Sequence, residues 1–272
     1  MNPKQGSRRN FLFKTIPGIM LTVIAMPKFV KGINKDISAK RLYNLDMQED
    51  LEKIIKLIGN KKKPLKWLFT GDSITQGASH TLGYRAYPEI FAERIRFEMN
   101  RSRDFVINTA ISGNTSQDIL NDFDWRIKQF CPDIVSLMIG TNDAAIIRNT
   151  SPDAFNKTLG SLIDHFRKLG AIPVLHTPNT IDTKRESGKQ RKDIVKYISV
   201  IQKTARDKKV ILVDHWQYWQ SHNKEVISEK WRNDALHPNG KGHLEIARLL
   251  FSTLSICNDK SFTCTGKVNF NS

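Results

Sequence analysis

Apolar residues fall along this chain in two rhythms. Residues 66–73, 104–111, 133–140, 172–176 and 210–214 are short, nearly continuous apolar runs. Residues 87–100, 115–128, 152–169, 190–207 and 240–255 are longer and return to apolar positions at helical spacing. The short runs predict strands covered on both faces, because a strand with one wet face would alternate. The long ones predict amphipathic helices. Ahead of them, Met47, Leu51, Ile54, Ile55 and Ile58 place another helix over 46–60, ended by Lys61-Lys62-Lys63-Pro64. Local signals agree with this reading. Ser151 stands before Pro152 as a cap before a first helical position, and Gly170 suits the left-handed residue that closes a helix. Strand and helix alternate throughout, which predicts an α/β protein with one five-stranded parallel sheet and helices on both faces. All strand carboxyl ends then share one edge, where ligands bind. No internal repeat and no second folded domain are apparent.

The first 27 residues do not follow that rhythm. Ser7-Arg8-Arg9-Asn10-Phe11-Leu12-Phe13-Lys14 resembles the twin-arginine export signal of bacteria, and the apolar stretch 15–26 after it is short and broken by Pro17. The expected organisation is an export signal over 1–27, a linker and amphipathic helix over 28–64, and the folded α/β domain over 65–272. Export implies a periplasmic or secreted protein with no stable membrane span in its mature form.

Composition adds two points. Among 272 residues, 43 Lys and Arg face 27 Asp and Glu, a formal net charge of +16. Nucleic acid, anionic lipid and acidic polymers all attract such a surface, as does nothing in particular when the charge only keeps the chain soluble. Export removes nucleic acid from the expected partners. Of three cysteines, Cys257 and Cys264 are close enough in sequence to close a small loop in an oxidising compartment, and Cys131 is expected to be a buried apolar residue. No Cys or His spacing indicates a metal site, and no cofactor is expected.

The chemistry lies at the strand ends. After the first strand comes Gly71-Asp72-Ser73-Ile74, a serine at a strand-to-loop turn. After the second comes Ser112-Gly113-Asn114, a glycine that lets a ligand approach the backbone. After the third comes Gly140-Thr141-Asn142-Asp143, with an amide donor. Before the last helix comes Asp234-Ala235-Leu236-His237, where one tight turn lets the carboxylate reach the imidazole. Each block alone has an ordinary structural explanation. The four in order resemble the SGNH (GDSL-type) hydrolase superfamily over about residues 65–250, with Ser73, Gly113, Asn142 and His237 at its name-giving positions. Ile74 stands where the family name has leucine, an apolar exchange away from the chemistry.

That resemblance implies a three-layer α/β/α, flavodoxin-like fold and a serine hydrolase passing through an acyl-enzyme. Ser73 would be the nucleophile, His237 its base and Asp234 the orienting carboxylate. The Ser73 and Gly113 N–H groups and the Asn142 amide would form the oxyanion hole. His176 and His215 are competing bases, but Asp214 next to His215 points to the opposite side of the chain. Asp72 and Asp143 are expected to pin their loops, and His80 and His243 to be surface or helix residues. The family includes esterases, thioesterases, lysophospholipases and carbohydrate deacetylases. Export and the aromatic group Trp216, Tyr218, Trp219 and Trp231 favour an acylated carbohydrate, probed by Trp216 and Trp231 and by Lys184 and Arg185 on the charged stretch 180–193. The alternatives are a lysophospholipase or general short-chain esterase, and a non-catalytic carbohydrate-binding protein. Oligomeric state is not readable from the chain.

Overall fold

The computed structural model describes residues 48–77 and 79–266. The segment 1–27, expected to be an export signal, and most of the expected linker lie outside them. Five strands form one parallel sheet: β1 (Lys66–Gly71), β2 (Phe105–Asn108), β3 (Ile134–Met138), β4 (Ile172–His176) and β5 (Ile211–Val213). Their order is β2-β1-β3-β4-β5, the flavodoxin-like order. The chain runs outward from β1 to β2 and then returns past β1 to β3. A crevice therefore opens between the carboxyl ends of β1 and β3.

The helices are α1 (Gln48–Gly59), α2 (Ser73–Gln76), α3 (Tyr87–Glu93), α4 (Ser116–Asn121), α5 (Phe123–Arg126), α6 (Pro152–Lys168), α7 (Glu186–Lys189), α8 (Ile194–Asp207), α9 (His215–Gln220), α10 (Gly240–Thr253) and α11 (Phe262–Thr265). Successive strand residues point to opposite faces, so β1, β3, β4 and β5 each feed two cores, whereas the edge strand β2, expected to be covered on both faces, is partly exposed and packs only Val106 against one of them. Trp67, Phe69 and Met138 pack with Ile54 of α1, Phe91 of α3 and Leu250 of α10. Leu68, Val135 and Leu137 pack with Ile119 of α4, Leu159 of α6 and Ile198 of α8. The α/β/α sandwich is thus the one expected. Because Ile54 and Ile58 enter the first core, α1 is part of the domain, and the boundary expected at 65 falls inside the packed unit.

One buried ion pair ties the start of the sheet together. The Arg101 guanidinium donates from Nε to Asp104 Oδ2 at 2.7 Å and from Nη2 to Asp104 Oδ1 at 3.0 Å. It also donates to the Ile58 and Lys63 carbonyls. Asp104 accepts in turn from the Leu65 backbone and the Trp67 indole. This joins the end of α1 to the first residues of β1 and β2.

Three local expectations change. The helix predicted over 87–100 passes at Arg94 into a π turn, Arg94–Glu98, where the buried Arg94 side chain reaches the Ile256 carbonyl at 2.9 Å. The helix predicted over 115–128 breaks at Asp122 into α4 and α5. Cys131 is exposed rather than buried, because it ends a 3-10 turn in the left-handed region at φ 45°. Cys257 and Cys264 are free thiols, the first exposed and the second buried, with Cys264 Sγ accepting from the Asn258 N–H at 3.3 Å.

Candidate active site

Four loops meet at the carboxyl edge of the sheet. The first needs a glycine. A Cβ on Gly71 would lie 2.2 Å from the Met138 carbonyl oxygen and 2.7 Å from Thr75 Oγ1, so only glycine lets β1 end this close to β3. Asp72 then caps α2, its Oδ1 accepting from the Ile74 N–H at 3.0 Å. That places Ser73 as the first residue of α2, with an N–H that a helix of this kind leaves unpaired.

The Ser73 hydroxyl lies 2.8 Å from His237 Nε2. The turn carrying His237 is built by Asp234. Its Oδ1 accepts from the Leu236 N–H at 2.7 Å and the His237 N–H at 2.8 Å, and its Oδ2 lies 2.8 Å from His237 Nδ1. An ionised carboxylate only accepts, so Nδ1 carries the ring proton and Nε2 is left to accept from Ser73. Burial opposes ionisation of Asp234, but the His237 and Leu236 N–H groups and the His237 ring outweigh it and hold the carboxyl below its ordinary value. Burial also pushes the His237 imidazole below its ordinary value, against the pull of Asp234 and with help from His80 and Arg191.

His80 is a correction to the sequence reading. Its ring lies flat on that of His237, with centroids 3.4 Å apart and planes at 2°, and its Nδ1 is 3.6 Å from Asp234 Oδ2. Nothing in the spacing between Ser73 and His80 announces this, since the contact is made across 157 residues of chain by the turn at 234–237. His80, Asp234 and His237 are also the trio, among the described residues, whose ligand atoms are close enough to share a metal ion. Parallel rings aim their in-plane lone pairs in parallel rather than at a common point. The arrangement suits a base with its carboxylate better than a ligand set.

The second and third loops supply hydrogen-bond donors. Gly113 sits at φ 80°, with its loop held to the first by Ile111 N–H to the Gly71 carbonyl at 3.2 Å and Ser112 N–H to Gln76 Oε1 at 2.8 Å. The buried Arg126 guanidinium reinforces this junction by donating to the Gly71 and Thr109 carbonyls and to the Asn114 side chain. Asn142 is buried. One Nδ2 hydrogen goes to the Asn114 carbonyl at 3.0 Å, and its Oδ1 accepts from Arg191 Nη2 at 2.9 Å. A guanidinium can only donate, so it dictates which end of the amide faces it. Arg191 also donates to the Thr141 and Ser187 carbonyls, each at 2.8 Å. Sequence reading placed Arg191 in a charged stretch and missed this role, because its Thr141 and Asn142 partners come from a distant segment, the loop after β3.

Asp72 and Asp143 behave as the expected loop pins. Asp143 accepts from the Ser116 N–H at 3.0 Å and from its hydroxyl at 2.6 Å. Burial, with Asp143 adding to it, pushes the Asp72 carboxyl up to about 7. His176 and His215 form a separate buried chain. Ser136 Oγ lies 2.8 Å from His176 Nε2, and His176 Nδ1 lies 3.0 Å from His215 Nε2. Burial lowers His176 to about 3 and, helped by His176, lowers His215 as well. Both are completely buried and stay neutral, so neither competes with His237 for a substrate. Asp214 turns away from His215, as expected, to cap α9 through the Gln217 N–H. His243 is on a helix as expected but buried in it, its Nδ1 accepting from the Tyr87 N–H at 3.3 Å.

The aromatic expectation fails. Trp216 and Trp231 are each only 9% exposed and belong to the two hydrophobic cores. Trp219 is fully buried, and Tyr218 gives its hydroxyl to Glu245 at 2.8 Å. Trp216, Trp219 and Trp231 are taken up by core packing and leave no face for a sugar. Lys184 and Arg185 are exposed, on the loop that docks on the His237 turn through Asp182 N–H to the Ala235 carbonyl at 2.8 Å.

Residues 69–244 match the GDSL-like Lipase/Acylhydrolase family. Over 202 residues the chain is 28% identical to an acetylxylan esterase of Geobacillus stearothermophilus, covering 67% of this chain and 90% of that one. It is 39% identical over 83 residues to an uncharacterized protein of Mycoplasma pneumoniae, a match that takes in 30% of this chain and only 9% of the relative. A crystal structure of an acetyl xylan esterase superposes with a TM-score of 0.58 at 26% identity, covering 69% of this chain and 98% of the other. The matched span runs from the end of β1 into α10 and takes in all four loops, and on that extent the chain belongs to the GDSL-like lipase/acylhydrolase family of carboxylic ester hydrolases.

Proposed function

We propose that this protein is a serine esterase that removes small acyl groups, acetyl foremost, from carbohydrate. The observation that carries the reading is the unbroken chain from the Ser73 hydroxyl through the His237 ring to the Asp234 carboxylate, 2.8 Å at each step. Serine is a weak nucleophile at its free pKa and needs such a base. Ser73 Oγ attacks the ester carbonyl carbon as His237 Nε2 takes its proton, and the carbonyl electron pair moves onto oxygen. Asp234 stabilises the imidazolium that forms. The tetrahedral oxyanion meets the Ser73 N–H, the Gly113 N–H and the free Asn142 amide hydrogen. Collapse expels the sugar alkoxide, which takes the proton from His237. Water activated by the same ring then releases the acyl group and restores Ser73. Apart from that water, the steps use the chain's own groups.

The acetyl-on-sugar assignment draws on the acetylxylan esterase relatives and on polar surroundings at the site. A second reading, a lipid or general short-chain ester, has one observation in its favour: Ile146 and Ile147, on the loop that carries Asn142, are exposed. Export to the periplasm or beyond is part of the proposal and rests on residues 7–14.

The test is turnover of p-nitrophenyl acetate, followed by a panel of acetylated oligosaccharides against longer-chain esters and lysophospholipids. Acetate release from the oligosaccharides, abolished in a folded Ser73→Ala variant, is the expected result. Preference for the lipids selects the second reading. No turnover of any ester by the intact protein, or full activity in Ser73→Ala, overturns the mechanism.

A further inference from the structure

The loops around Ser73 carry cations without counter-ions. Arg148 follows Ile146 and Ile147 on the loop after β3 and is exposed. Its Nη2 donates to the Gly113 carbonyl at 2.8 Å, which sets the guanidinium against the loop that supplies an oxyanion donor. That carbonyl is uncharged, and it is the only partner of the Arg148 side chain among the described residues. Most of the five guanidinium donors therefore face solvent. On the loop after β4, which meets the Arg148 loop through the Ile146 N–H to the Gln190 carbonyl at 2.8 Å, Lys184 and Arg185 are exposed, and their side chains likewise pair with no carboxylate among the described residues. The positive field is shared. Arg148 adds to the burial that lowers Arg191, and Arg185 adds to the burial that lowers Arg232.

The nearby carboxylates are already committed. Asp234 holds the His237 turn, Asp143 holds Ser116, Glu186 pairs with Lys189, and Asp193 pairs with Lys196. Asp182 Oδ1 accepts from the Lys184 backbone, and Asp72 is buried. None neutralises Arg148.

We propose that Arg148 forms an anion subsite beside the acyl carbon, and that the substrate is an acylated acidic carbohydrate whose carboxylate or sulfate it grips. This rests on the esterase reading of the same site. A guanidinium suits the purpose because its flat fork meets the two oxygens of a carboxylate side by side, where an ammonium offers a point charge. The bond to the Gly113 carbonyl holds the fork at a fixed distance from the oxyanion loop. An anionic group on the acylated sugar or its neighbour is thereby registered against the ester to be cleaved. Lys184 and Arg185 add to the same field from the neighbouring loop.

The experiment compares three acetylated oligosaccharides of equal length: one neutral, one bearing a uronic acid and one bearing a sulfate. The wild-type protein is measured beside Arg148→Gln and Arg148→Lys. Because Arg148 also touches Gly113, the ratio of kcat/KM between charged and neutral substrates is the readout, rather than either rate alone. The wild type is expected to favour at least one anionic substrate by about fivefold to tenfold at low salt, less than a full charged hydrogen bond because the guanidinium is exposed to solvent. Arg148→Gln brings the ratio close to one, Arg148→Lys keeps part of it, and raising salt erodes it. Equal rates on charged and neutral substrates in the wild type, or an equal loss on both in Arg148→Gln, overturn the subsite while leaving the esterase intact. Failure to cleave the neutral substrate or p-nitrophenyl acetate strikes the underlying reading instead.

Discussion

Replacing Arg191 by Met tests whether the oxyanion donor works because a distant guanidinium orients it. Asn142 is an amide whose two ends are nearly the same size, so packing alone distinguishes them poorly. Two contacts set its direction: Arg191 Nη2 on Oδ1 at 2.9 Å and the Asn114 carbonyl on Nδ2 at 3.0 Å. A hydrogen bond to a charged group contributes about 1.5–3 kcal/mol net, a neutral one nearer 1. Met fills much of the space but gives no donor, so the larger of the two restraints goes. A fully lost oxyanion donor costs about 10²–10³ in kcat. The Asn114 contact remains, so the expected loss is smaller, about tenfold in kcat, with KM nearly unchanged because the donor matters most in the transition state. The same substitution removes a positive neighbour of His237, so the acid limb of the rate profile should also move up. The decisive assay is a double-mutant cycle on p-nitrophenyl acetate, with thermal melting to check folding. In an Asn142→Ala background, Arg191→Met should cost little, because its target has gone. If the two losses simply multiply, or if the whole effect of Arg191→Met falls on KM, Arg191 does not act through Asn142.

The wild-type acid limb of kcat/KM should lie below the ordinary imidazole value of 6.5, because burial holds His237 down and only the neutral ring can take the Ser73 proton. Activity then persists as pH falls through 6.5 and is lost below it. A limb at or above 6.5, read from a pH–rate profile, contradicts the burial argument. His80→Phe keeps a flat ring against His237 but removes a potential positive charge, with Asp234, Arg191 and His243 unchanged around it. It should raise that limb while preserving most of kcat at pH 8, and a profile superposable on the wild type would leave His80 a packing residue only. Arg101→Met strands the Asp104 carboxylate in the interior, since the two side chains are 1% and 2% exposed. Breaking such a pair costs about 3–5 kcal/mol, to be read from urea unfolding, and a loss below about 1 kcal/mol would mean that Asp104 finds water or a proton instead.

Much of the fold was legible in the chain because it depends on local periodicity. The apolar runs and helical spacings place all five strands and the major helices, and Ser151 caps α6 through the Ala154 N–H at 3.1 Å as its sequence position suggests. The four motif blocks were legible for a related reason. A parallel sheet gathers its strand ends on one edge whatever the side chains, so residues that follow strands must become neighbours. Asp234 and His237, three positions apart, needed only one turn to meet.

What the chain alone left open depends on contacts between distant segments. An aromatic group beside a catalytic turn reads equally well as a sugar platform or as core. Burial decides: Trp216 lies in the core with Ile198 of α8, and Trp231 in the other with Leu250 of α10. The stacking of His80 on His237, and the reach of Arg191 to Asn142, have no periodicity and no local spacing that could reveal them. They exist because the loops after β1 and β4 fold back over the crevice. Only the tertiary structure brings a ring or a guanidinium from a separate loop to within hydrogen-bonding or stacking distance of a reacting group.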